Sequence, residues 1–69
     1  MAVYIRFPSR ELRDSFYDAV NNAKTSSGEY LMKSNVGTYS DDYISYEREN
    51  VRDFGQFGEF MSMFKGKQE

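Results

Sequence analysis

Asp41-Asp42 and the Glu47/Glu49 pair are the carboxylates whose spacing comes nearest to acid–base chemistry. Two carboxylates held close together push their pKa values apart, so that one can donate a proton while the other accepts. The context argues against that role. Adjacent aspartates favour a solvated turn, because Asp hydrogen-bonds its own backbone. Their spacing does not match a calcium loop either. The chain has no histidine and no cysteine. That removes the commonest general base, the thiol nucleophile and the preferred ligands of zinc. Gly55-x-x-Gly58 is neither a phosphate loop nor a dinucleotide fingerprint, and no strand leads directly into it. A chain of 69 residues also has little room for an enclosed pocket. The chain is therefore expected to be non-enzymatic, with no cofactor and no metal.

What remains is binding chemistry, and three sets of residues carry it. Tyr4, Arg6 and Tyr43 are of the types enriched at binding hot spots. With Ser45 and Glu47 they fall on one side of two alternating segments, which points to a protein partner, met also by Asp41, Asp42 and Glu47 at the acidic edge of that face. The same tyrosines could stack bases while Arg6 and Lys33 meet phosphates, as on an RNA-recognition sheet. Against nucleic acid stand a net charge of −2, the absence of a Lys/Arg-Gly-aromatic run, and no expected fourth strand. Third, residues 41–59 hold six acids (Asp41, Asp42, Glu47, Glu49, Asp53, Glu59) against Arg48 and Arg52. Such a zone could mimic nucleic acid and block a basic groove, although six acids is few for strong steering.

These residues need elements to position them. Val3, Ile5 and Phe7 alternate with Tyr4 and Arg6, the period of a half-buried strand. Pro8 ends it and Ser9 can cap a helix from about Arg10 to Lys24, with Leu12, Phe16, Ala19, Val20 and Ala23 as its apolar stripe. Thr25 to Gly28 is a stop signal. Residues 29–34 read as a second strand whose facing is ambiguous, since Tyr30, Leu31 and Met32 are all apolar. Residues 42–48 read as a third, with Ile44 and Tyr46 on one face. The pattern leaves 37–40 open between short strand and hairpin loop. Asn50 is a fitting N-cap for a last helix, with Asp53 three residues on. The expected fold is α+β, a small two-layer domain in β-α-β-β-α order. Its mostly antiparallel three-stranded sheet carries both helices on one face, as a single domain over 1–69.

Phe54-Gly55-Gln56-Phe57-Gly58-Glu59-Phe60 tests that last helix. At about 100° per residue, Phe54, Phe57, Met61 and Phe64 fall in one wedge, a core stripe. Val51, Gly55, Gly58 and Ser62 form a second stripe of mainly small residues, which Gly66 continues. The small side admits three readings: the first helix crosses close, a second copy or partner helix docks there, or the helix breaks at a glycine.

Aromatics make up 17% of the chain, too many for a disordered segment. No apolar run approaches 18 residues and no signal-peptide pattern begins the chain, so neither membrane insertion nor secretion is expected. The lack of cysteine fits a reducing, cytoplasmic setting. At this size a core supplies only about 3–5 kcal/mol, which makes a homodimer a serious option. No family motif stands out. In general character the chain resembles the small accessory proteins that bacteriophages make to bind host factors. That resemblance implies an inhibitor or modulator occupying a surface of a larger macromolecule.

Overall fold

The computed structural model describes residues 1–69. The order is β1 (Ala2–Arg6), α1 (Arg10–Asn22), β2 (Gly37–Tyr39), β3 (Tyr43–Glu47), α2 (Phe54–Met63) and β4 (Lys67–Gln68). The strands lie in the order β2-β3-β1-β4, every neighbour antiparallel. Each β-α-β unit is thus split by a strand of the other, the β-α-β-β-α-β arrangement. The expected α+β class holds, but the sheet has four strands, not three.

Alternation places Ile5 of β1 and Ile44 and Tyr46 of β3 in the core. Ser9 caps α1, its hydroxyl accepting from the Leu12 amide at 3.2 Å. Phe16 and Val20 of the α1 stripe are fully buried. Phe16 is the hub, with Phe7 at 4.9 Å, Phe57 at 5.7 Å and Phe64 at 6.2 Å between ring centroids.

Residues 29–34 are not a strand. Residues 23–36 form an irregular connection hooked to the end of α1 and to the segment before α2. The Leu31 amide donates to Ala23, Lys33 to Asn50, and Arg52 to Leu31. The reason is visible in the side chains: Leu31 and Met32 are consecutive yet both buried. A strand would turn one of them to solvent. Strand two is instead the undecided segment, Gly37–Tyr39.

α2 also starts later than Asn50. Residues 48–50 form a 3-10 turn and Val51 is buried in extended backbone. Asp53 is the cap, its carboxylate accepting from the Gln56 amide at 3.1 Å. With the start shifted, Phe54 sits in the first turn and is 54% exposed. Only Phe57 of the expected core stripe is fully buried, while Met61 and Phe64 are partly covered. The helix is unbroken across both glycines.

The small-residue stripe is not where α1 comes close. A β-carbon built on Gly58 meets nothing within 4 Å, and one on Gly55 meets only its own cap, Asp53 Oδ1, at 3.2 Å. The helices meet through the Phe16 contacts instead. Gly58→Ala is therefore expected to stabilise the chain by about 0.5–1 kcal/mol through helix propensity. A urea melt checks this; destabilisation would mean that something does lie against this flank.

The close approach falls at Gly66. A β-carbon there would stand 2.6 Å from the Phe7 ring and 2.8 Å from Ile5 Cγ2. Gly66 closes α2: its amide donates to Met61 and that of Lys65 to Ser62. This is the two-bond termination that ordinarily places glycine at the left-handed residue. Here that residue is Lys65, at φ 62°. A side chain in this conformation costs on the order of 1 kcal/mol. Lys65→Gly is expected to raise stability by about that amount, read as a higher denaturation midpoint at unchanged slope. An unchanged or lower midpoint would contradict it.

Candidate interaction face on the open side of the sheet

The register assembles one face from four strands. Tyr4 lies opposite Ser45, Arg6 opposite both Tyr43 and Lys67, and Tyr39 opposite Tyr43. Three tyrosine rings join there. Tyr39 stands 5.2 Å from Tyr4 and 5.8 Å, edge-on, from Tyr43. Ser45 is paired with both Tyr4 and Gly37. Neither Ser45 nor Gly37 has the bulk to separate the outer rings. Tyr39 is 55% exposed and Tyr4 39% exposed. Of the three hydroxyls only that of Tyr43 bonds within the chain, donating to Glu69 at 2.9 Å.

The charged groups are mostly engaged. Arg6 Nε donates to Asp42 at 3.1 Å while its guanidinium lies 5.8 Å over the Tyr43 ring. The bond to Asp42 raises the Arg6 pKa, and the bond to Glu69 raises that of Tyr43. Glu47 accepts from the Met1 ammonium at 2.9 Å, which lowers the carboxyl's pKa and raises the ammonium's. Tyr46 works from the core side, its hydroxyl donating to Gln68 at 3.1 Å. Burial raises its pKa. Tyr43 and Tyr46 thus hold the β4 end from opposite faces of the sheet.

Tyr4, Arg6, Tyr43 and Glu47 share the open face as the alternation predicts. Asp42, which the same alternation would put with Ile44 and Tyr46, reaches this face from the β2–β3 turn by accepting from Arg6. Asp41 lies beside them in the exposed β2–β3 turn. Neither Tyr39 nor Arg13 stands out in the sequence: the pattern leaves residues 37–40 open between strand and loop, and helical spacing puts Arg13 off the apolar stripe. It is buried, and its guanidinium donates to Asp14 at 2.7 Å, to the Ser40 carbonyl at 3.0 Å and to the Tyr43 carbonyl at 3.2 Å. Arg13 thereby fixes the turn that sets Tyr39 against Tyr43.

The six acids of residues 41–59 do not form one surface. Asp42 and Glu47 sit at opposite ends of β3 and are paired, Asp53 caps α2, and Glu59 lies on that helix in the other layer. Gly55, Gly58 and Ser62 lie on α2, away from the sheet face. No group of three or more His, Cys, Asp or Glu side chains is placed to hold a metal ion. No helix is long and apolar enough to cross a membrane. No protein-family model, curated protein or solved structure matches the chain.

Proposed function

We propose that the protein is a non-enzymatic binding module that works through the open sheet face, as an inhibitor or modulator occupying a surface of a larger protein. The observation that carries this reading is the joined, exposed ring set of Tyr4, Tyr39 and Tyr43 beside Arg6. Rings already in contact lose little freedom on docking. Tyrosine brings a large contact area and a hydroxyl to an interface. Two of the three hydroxyls have no partner within the chain, so both can bond across an interface.

A second reading is favoured by a specific observation. A fourth strand is present, and Tyr4 and Tyr43 stand on the two central strands with Lys67 at the edge. That is a platform on which bases of a single strand could stack. The carboxylates Asp42, Glu47 and Glu69 on the same side weigh against it.

The test is binding by the Tyr4→Ala/Tyr39→Ala variant. Both side chains are substantially exposed, so the fold should survive. Affinity capture of protein partners, with nuclease and salt washes, is expected to fall by about tenfold or more, as for loss of hot-spot residues. Full retention of capture would reject the face. Tight binding of a single-stranded oligonucleotide, weakening steeply with salt, would replace the first reading by the second.

A further inference from the structure

One corner of the open face carries more than tyrosines. Arg6, Lys65 and Lys67 converge on a cleft of about 410 Å3 floored by Phe7 and shared with Asp42 and Glu69. Asp42 is paired with Arg6, and Glu69 accepts from Tyr43. Lys65 and Lys67 form no ion pair. Arg6 is held by Nε alone, which leaves both terminal nitrogens of its guanidinium without an internal partner. Asp42 and the Tyr43 ring keep that fork in place, so little freedom is lost when it is used. Lys65 is the strained residue at the end of α2, in a conformation that favours glycine. Strain of this kind gathers at ligand-contacting positions. Lys65 thus brings an unpaired cation to the lining of this cleft.

We infer that the cleft receives a side-chain carboxylate from an acidic segment of the protein partner, anchoring the chain that lies across Tyr4, Tyr39 and Tyr43. The inference rests on the protein-binding reading above. The side chains of Arg6, Lys65 and Lys67 outnumber the side-chain carboxylates of Asp42 and Glu69, and two of the three cations have no internal ion pair to give up. A run of phosphates would bring several negative charges past Asp42 and Glu69. A carboxylate also matches the planar fork of Arg6.

The probe is a blocked tetraglutamate peptide titrated into the full, isotope-labelled chain, followed by amide shifts. Saturable shifts are expected at Phe7, Lys65 and Lys67, and none with blocked tetraglutamine. Lys65→Gly and Lys67→Gln should each weaken binding by about three- to fivefold, the scale of a partly exposed ion pair. Lys65→Gly is expected to be the more stable protein, so weaker binding by it cannot be blamed on unfolding. Three results would overturn the inference: no shifts in the cleft, equal shifts with tetraglutamine, or tighter binding there of inorganic phosphate or a thymidine decamer. If the lysine variants keep partner capture while Tyr4→Ala/Tyr39→Ala loses it, the cleft is rejected and the face stands. If both keep it, the face falls too.

Discussion

Phe16→Ala is expected to leave the chain without a stable native state at 25 °C. The ring is fully buried and is the one aromatic that touches β1's end, α2 and the residue after α2 together. Truncating a buried phenylalanine costs about 3–5 kcal/mol. A core of eleven buried apolar residues in a chain this short has about the same to give. The two magnitudes meet, so far-UV circular dichroism should show loss of both helices, or a urea melt with no native baseline. Phe16→Leu keeps most of the volume and should remain folded at a cost of about 1.5 kcal/mol or less. A cooperative Phe16→Ala melt within about 1 kcal/mol of the parent would contradict this ranking and move the hub of the core elsewhere.

Gly66→Ala is expected to cost about 2–3 kcal/mol, the upper range for overpacking. The added methyl would sit 2.6 Å and 2.8 Å from atoms of Phe7 and Ile5, both buried and neither free to swing away. The cheapest relief is to lift the backbone after α2. That breaks the pairing of Lys67 with Arg6 and Gln68 with Ile5, and the Glu69 amide bond to Tyr4. Hydrogen exchange should then show lost protection at Lys67 and Glu69, the β4 amides that face β1, before any loss in α1. Uniform protection in Gly66→Ala would mean the core yields instead of the strand. Because Lys67 and Glu69 leave with β4, this variant should also lose its cleft.

The contrast between Gly66 and Gly58 explains much of what is legible in the sequence and what is not. β1 and β3 are legible because their alternation sends Ile5, Ile44 and Tyr46 inward and Tyr4, Arg6 and Tyr43 outward. That alone supplies half the candidate face. α1 is legible from Ser9 and the Phe16/Val20 stripe. The segment 29–34 misleads because apolar composition says buried, while burial of both Leu31 and Met32 needs an irregular backbone, not a strand. β4 has no periodic signal at all: it is two polar residues, held by the clearance at Gly66 and by the hydroxyls of Tyr43 and Tyr46. Glycine composition cannot distinguish a residue that makes room, as Gly66 does, from one facing open space, as Gly58 does. Tyr39 depends on the same kind of information. Its place beside Tyr4 follows from the pairing of β2 with β3, which Arg13 helps fix from α1, a contact between residues far apart in the chain.

Photo-crosslinking from single positions distinguishes the sheet face from the helix face as the surface that meets the partner. Tyr39→p-benzoylphenylalanine places the reactive group among the open-face rings, and Phe54→p-benzoylphenylalanine places it on the exposed start of α2. Both sites are more than half exposed, so both variants should fold. In native lysate treated with nuclease, a discrete adduct with another protein is expected from position 39 and none from position 54. An adduct from position 54 with none from position 39, or adducts only with a second copy of this chain, would contradict that role for the sheet face.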